Sequence, residues 1–443
     1  MSGEAQLEAL LAIINTSARQ AIAEYKNRGS SVPTLDQAEF HPLDFQEDTV
    51  ALKKAVRLLE GACQQLCATL APPQHTVINY AQSYDWACTG AAIRAGIADH
   101  LDGHPKGIHV SELAQMVGFE KGKLSRILRV LASKGCFTEV DTDVFANNRL
   151  SLILKSSSNP GCLVRIHAQD VSQAAGVLYE TLTEPDYAAS YDPDKAPLIY
   201  ALKQKGLKGS FFDWMKEDDE RRESYHRAMI GLGDIMGSLS VLHHYPWDTL
   251  STVCDVGASI GTFSLPLSKK FRHLKITDQD LPEVLVQAKD VWAKDAPEAV
   301  QEGRVEFIPL NFFEQSPVYG KDAYYLRNII HDWPDAEAAI ILRNVRRAMA
   351  PHSRLLIHDY VLANVNRKSV SEYMGADVAP EPMLPNFGAG NSRMYQQDLN
   401  MWFIHNAKER TLQDSIALGS SAGLRLEKVY DLAESAVLEF KLA

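Results

Sequence analysis

The stretch Val253-Cys254-Asp255-Val256-Gly257-Ala258-Ser259-Ile260-Gly261 decides the fold. An apolar run ends at an acidic residue, small residues make a turn, and an amphipathic segment runs from Thr262 to Phe271. That is the order of a buried parallel strand, a tight loop and a helix. Gly257 and Gly261 allow the backbone to come close to a bound group, and the helix beyond offers free N–H donors at its start. A full G-x-G-x-x-G dinucleotide fingerprint would need glycine at Ser259 and Thr262, so NAD is disfavoured. Taken alone, the stretch equally fits an ordinary strand-to-helix turn.

Downstream of it, strand and helix patterns alternate. Strands are expected at 252–257, 274–279, 304–310, 321–327, 353–361, 424–430 and 436–442, and helices at 260–271, 282–294, 335–349 and 411–422. The alternation implies an α/β fold, a Rossmann-like, doubly wound and mostly parallel sheet. The link from Asp431 to Ser435 is too short for a parallel crossover, so one antiparallel strand is expected. The span from Ala363 to Tyr395, rich in Pro, Gly and Asn, is long for a passive connection and suggests a lid or pocket wall.

Upstream, an amphipathic helix is expected over Gln6 to Asn27, as a packing or dimer-clasp element. A Pro/Ser/Gly connector (Gly29 to Pro42) leads to a second helix, Asp48 to Leu70, stopped by Ala71-Pro72-Pro73. Helix, glycine turn and helix (Ser111 to Leu131 about Gly118) followed by a small β-wing (Lys134 to Ala146) read as a winged helix-turn-helix. Such a module either binds DNA, through Lys123, Arg126 and Arg129, or serves dimerisation. Residues 160–245 read as helix with an aromatic and Met stripe, mostly core, some of it suited to line an apolar pocket.

Composition bounds the function. The 443 residues are 46% hydrophobic and 23% charged, as in globular proteins of two or three domains. A net charge of −11 argues against nucleic acid as the main partner. No apolar run is long enough to span a bilayer, and the start has no signal-peptide character, so no membrane association is expected. Six scattered cysteines without a C-x-x-C imply a reducing compartment, most simply the cytosol. His243-His244 and His358-Asp359 offer no ligand set at metal spacing, so no metal is expected.

In a doubly wound sheet, ligands sit at the carboxyl ends of the strands. Those ends carry Gly257 to Gly261, then Asp278-Gln279-Asp280, Asn311-Phe312-Phe313, His331-Asp332-Trp333 and His358-Asp359. An acid about 20 positions beyond the glycine turn suits a ribose diol, and an amide with an aromatic face suits adenine. Each has a plain alternative (Asp280 as a helix cap, Phe312 as core, His331 as a satisfied polar residue), but their convergence favours a nucleoside cofactor.

The run from Asp322 to Leu362 and the later Asn406-Ala-Lys-Glu-Arg-Thr resemble the S-adenosylmethionine-dependent small-molecule O-methyltransferases, in their fungal secondary-metabolite branch related to caffeate-type enzymes. The resemblance covers roughly 75–443 and implies four regions. They are N-terminal helices (1–74), a winged-helix dimerisation domain (75–160), a helical linker and substrate-pocket region (161–245) and a cofactor domain (246–443). It implies a homodimer acting on a small molecule. The family's glycine motif falls on Gly257, Ser259 and Gly261, its ribose acid on Asp280, its adenine contacts on Asn311 and Phe312, and its basic cofactor position on Arg327. Its general base falls on His331, with orienting carboxylates at Asp359 and Glu409. His226, Met229, Trp402, His405 and Asn406 are expected around the substrate.

The implied activity is O-methylation of an aromatic or polyketide-type hydroxyl. A sulfonium methyl is already activated, so the protein must align an oxygen with it and remove a proton. A phenol has a pKa of about 10 and imidazole about 6.5, so His331 needs help from its carboxylates. Two departures stand out: Ala258 and Ser259 replace family glycines, which is tolerable mainly at negative φ, and Asn311 replaces an aspartate. They keep open an alternative, a cofactor-bound pericyclase or dehydratase of the same fold that transfers no methyl group.

Overall fold

The computed structural model describes residues 2–28, 31–203, 206, 209–367 and 377–443. Gly29 and Ser30 of the expected connector and residues 368–376 of the expected lid therefore lie outside the described residues. In chain order the strands are β1 (Ile108–His109), β2 (Thr138–Asp141), β3 (Val144–Ala146), β4 (Thr252–Val256), β5 (Lys275–Asp280) and β6 (Val305–Pro309). They continue as β7 (Ala323–Arg327), β8 (Arg354–Asp359), β9 (Val361–Leu362), β10 (Arg410–Thr411), β11 (Leu424–Asp431) and β12 (Ala436–Leu442).

Seven of them form one sheet in the order β11-β12-β8-β7-β4-β5-β6. Strands β4, β7 and β8 are buried almost along their whole length, which is why they read as near-continuous apolar runs. All neighbours pair in parallel except β12, which runs antiparallel to both β8 and β11. Tyr324 and Tyr325 point to opposite faces. The first joins the core beneath helices Asp335–Ala348 and Leu412–Ser421, the second the core with Trp247, Phe263 and Trp292. From β4 the chain winds one way to β5 and β6 and the other way to β7 and β8, so the crevice opens above the carboxyl end of β4.

Each sheet strand lies within two residues of its expected position. The helix after the glycine turn starts later than expected, at Ser264, because Ser259 and Gly261 have φ of 53° and 87°, outside helical space. The parallel pair β9–β10 was not anticipated, being too short to carry a period.

Helices α1 (Gly3–Asn27) and α2 (Val50–Leu70) pack on each other and on residues 377–391. The described part of the expected lid is thus a wall for these helices: Ala379, Met383 and Phe387 share a core with Leu10 and Ala62. Backbones nearly touch there, since a Cβ on Gly61 would lie 2.0 Å from the Phe387 carbonyl oxygen. Ion pairs Lys54–Asp377 (2.7 Å) and Glu60–Arg393 (3.2 Å) fasten α2 to the far end of the chain.

Helices Val110–Val117 and Lys121–Ser133 with the β1-β3-β2 sheet form the winged unit, β1 being an addition to the expected wing. Arg129 on its second helix is held by Glu139 at 2.7 Å and Asp143 at 2.9 Å. Among the described residues no helix is long and apolar enough to cross a membrane.

Candidate functional site

Beyond β4 the chain turns through Gly257 (φ 76°), Ser259 and Gly261. A Cβ on Gly257 would lie 2.5 Å from Ile329 Cδ1, and one on Gly261 2.3 Å from Trp292 Nε1, so both positions demand glycine for space as well as for φ. Ser259 overturns the expectation of negative φ. Its left-handed backbone aims its N–H at Asp280 Oδ2, 2.8 Å away, a charge-assisted bond that offsets the strain.

Asp280 also accepts the Leu281 N–H at 2.7 Å, while burial raises its carboxyl above the usual range against those bonds. Phe312 approaches within 3.9 Å of the Cβ position on Gly257, so its ring faces the turn. Asn311 shapes the loop after β6 by accepting the Phe313 N–H at 3.1 Å. Arg327, at the end of β7, donates to the Thr262 hydroxyl and lies 5.9 Å from the Phe263 ring. Next to it Asn328, also left-handed, buries a side-chain oxygen with no hydrogen-bond partner. Acceptors for a diol, apolar walls from Phe312 and Ile329, and this orphaned acceptor for an N–H donor fit an adenosyl group with an ammonium tail.

His331 sits on the short turn Ile330–Asp332 with 3% of its surface exposed. Its Nδ1 donates to Glu409 Oε1 at 2.7 Å, which leaves Nε2 as the basic nitrogen, 3.5 Å from Asp332 Oδ1. Burial opposes the imidazolium, but Glu409, Asp332 and Asp359 outweigh it and push His331 up to about 10. Burial in turn pushes Glu409 up to about 7 and Asp332 to about 6. Asp359 contributes charge and backbone placement: its Oδ1 accepts the Asn328 N–H at 3.0 Å, and it forms no ring bond of the kind expected of an orienting carboxylate.

Arg410 does what Asp359 does not. It donates to the carbonyls of Ile330 (2.8 Å) and Trp333 (2.9 Å) and to Asp335 (3.0 Å), gripping both ends of the turn that carries His331. The β9–β10 pairing sets Arg410 opposite Val361, so adjacent residues fix the ring and the turn. His358 faces elsewhere, between the Tyr325 hydroxyl (2.5 Å) and Ser435 (2.8 Å). Burial, aided by Arg327, drives it down to about 3, a neutral packing group.

Of the expected pocket residues, His405 lies beside the turn that carries His331, its Nε2 3.8 Å from Asp332 Oδ1. Burial and the His331 charge lower it to about 3, and it packs on Phe211 and Phe212 at 5.1 and 5.0 Å. Trp402 is half-buried against the same aromatic cluster. The other three face solvent, a separate apolar cluster and the 190–192 backbone. His226 is exposed, because the inward face of helix Asp219–Met236 carries Ser224 and Ala228. Met229 packs with Leu232, Met236, Tyr360 and Met394. Asn406 caps helix Ser392–His405 and donates to the carbonyls of Ser190 (2.8 Å) and Asp192 (3.0 Å). Asp332 and Arg410 were missed although both lie inside the two runs that carried the resemblance; Phe211 and Phe212 gave no signal beyond a helical stripe.

The chain matches the O-methyltransferase domain over residues 194–425 and the O-methyltransferase dimerisation domain over residues 81–157. It is 39% identical to 3-O-methyltransferase 2 of Phanerochaete chrysosporium, over 98% of this chain and 97% of that one. It is 31% identical to an O-methyltransferase of Armillaria gallica, over 91% and 90% of the two chains. In fold it is similar to the structure of LepI in complex with SAM (TM-score 0.68, 21% identity, 88% of this chain and 94% of that one). Human N-acetylserotonin methyltransferase in complex with SAM gives a TM-score of 0.64 at 20% identity, over 84% and 98%. With one domain family spanning more than half its length and relatives aligned along nearly all of it, the chain belongs to the S-adenosylmethionine-dependent O-methyltransferases.

Proposed function

We propose that His331, oriented by Glu409, removes the proton from an aromatic hydroxyl as that oxygen is methylated, the acceptor being a secondary-metabolite phenol. S-adenosylmethionine, when bound, supplies a methyl group already activated on a sulfonium. The turn from Gly257 to Gly261, Asp280, Phe312 and Asn328 would hold it, with Arg327 bracing the turn through Thr262. The chain's own chemistry is then proton removal. The observation that carries the reading is the 2.7 Å bond from Nδ1 to Glu409, which leaves Nε2 to take the proton. A base near 10 facing a phenol near 10 makes that transfer nearly even in energy, and the three carboxylates stabilise the imidazolium formed.

The dimerisation-domain match and the exposed Tyr80, Tyr84 and Trp86 support a homodimer, to be measured by light scattering. Engagement of Arg129 by two acids and the net charge of −11 speak against a nucleic-acid partner. Six free thiols suit a reducing compartment such as the cytosol. Labelled cofactor incubated with a panel of phenols tests the chemistry: transfer by the native protein, lost in His331→Ala while cofactor still binds, is the expected result. Tight cofactor binding with no transfer to any acceptor would overturn it in favour of ring closure or dehydration.

A further inference from the structure

Beside His331 and Glu409 lies a cavity of about 20 Å³. Its apolar walls are Ile357 of β8, Leu418 of helix Leu412–Ser421 and Leu438 of β12, and its polar walls are Asp359, Glu409 and Ser415. A buried water needs about 10–15 Å³ and two to four polar partners, so the space takes one water and no larger ligand.

Hydrogen bonding at this wall is lopsided. Glu409, 2% exposed, gives Oε1 to the His331 Nδ1–H, but its Oε2 is fully buried and meets no donor among the described residues. A buried carboxylate oxygen in that state is costly, and folded proteins seldom leave one so. The neighbours do not supply the bond. Arg410 turns its guanidinium to the Ile330 and Trp333 carbonyls and to Asp335. Ser415 spends its hydroxyl proton on the Thr411 carbonyl at 3.0 Å, so its oxygen can only accept, as can the Asp359 carboxylate. The occupant must therefore donate. A cation would serve the acceptors too, but the charges at the wall are already matched, His331 and Arg410 against Asp359 and Glu409. A neutral donor with two protons meets both conditions.

We propose that the cavity binds one structural water, which donates to Glu409 Oε2, shares its second proton with Asp359 or Ser415, and so holds Glu409 as the anion opposite His331. The effect reaches the base through the ring bond. Burial pushes Glu409 up to about 7 against the pull of the His331 charge, and a donor on its second oxygen favours the anion. That anion is foremost among the charges that keep His331 protonated. The other groups facing the pair are Asp332, Asp359, Arg410, Tyr360 and, from helix Ser392–His405, His405 and Asp398, which accepts the Glu409 backbone N–H at 2.9 Å. None of them donates to Oε2.

A crystal structure of the full chain should show one water about 2.6–3.2 Å from Glu409 Oε2. A dry cavity would overturn the proposal, as would a cation whose occupancy follows the sodium or potassium in the buffer. Ser415→Val puts carbon into the space, whereas Ser415→Ala leaves room for the water. Nitrogen NMR titration of the His331 ring, assigned by the signal lost in His331→Gln, should give a midpoint about one pH unit lower in Ser415→Val and near native in Ser415→Ala. Leu438→Phe fills the same space from β12 and carries the same expectation should the valine variant fail to fold. A midpoint that stays put in a filled variant whose crystal has lost the water would sink the proposal. These measurements use neither cofactor nor acceptor, so they stand whether or not a methyl group moves. Only the matching downward shift expected in kcat/KM against pH rests on the methyl-transfer reading above.

Discussion

His331 keeps its proton in spite of its burial, because three carboxylates surround it. The imidazole must shed that proton before it can serve as a base, so kcat/KM is expected to climb with pH toward about 10. In Glu409→Gln the nearest raising charge is gone; the midpoint of that rise should move down by about one to three pH units and kcat should fall about 10²-fold or more. The same shift bears on stability. A histidine whose folded pKa lies above its ordinary 6.5 stabilises the native state fully below that value and loses the contribution as pH rises through about 10. Urea unfolding of native protein and His331→Gln should therefore diverge most at pH 6 and converge by pH 10. Ser259→Gly relieves a left-handed serine and keeps the backbone N–H that Asp280 accepts, so it should preserve cofactor affinity and raise stability by about 1 kcal/mol in the same assay. At this scale the sequence pointed to candidate residues on strand tips that the structure brings together, Asp280 and Phe312 by the glycine turn and His331 beside Glu409. It was not legible on helix Asp219–Met236, where one step along the chain separates buried Ser224 and its neighbour Tyr225 from exposed His226 and apolar periodicity does not resolve a single residue.

The elements divide the same way. Strands β4, β7 and β8 announced themselves because burial on both faces leaves an apolar run, whereas β9 and β10, two residues each, left no pattern. Yet that short pair locates Arg410, which holds the His331 turn by its two carbonyls. Arg410→Gln is expected to lower kcat by about 10²-fold with cofactor affinity unchanged, since a base misplaced by an ångström costs that much. It should also destabilise by about 1–3 kcal/mol for each buried carbonyl left unpaired, read by urea unfolding together with single-turnover kinetics. The Asn406-to-Thr411 run was recognisable as a motif, but its division of labour, with Glu409 for the ring and Arg410 for the backbone, required the fold.

Across the whole molecule, contacts between residues more than three hundred apart hold the N-terminal helices to the catalytic half. Arg57 donates to the Ala433 carbonyl at 3.0 Å, and Glu60 pairs with Arg393. No periodicity encodes such pairs, which is why the docking of 1–74 could not be read beforehand. Removing residues 1–71 strips this cover from Met383 and Phe387 and leaves Arg393 with one acid fewer. The truncated chain should melt about 10 °C lower in scanning calorimetry and should tend to aggregate. Strand β12 carries a further consequence. It is synthesised after every other strand of the sheet, yet it lies inside, between β8 and β11. A nascent chain that has released β11 must keep a slot open in mid-sheet, its amides bare, until β12 follows it out of the ribosome. The sheet therefore closes only once β12 is inserted, and a premature stop within β12 would leave two sticky strand edges for chaperones or proteases to find.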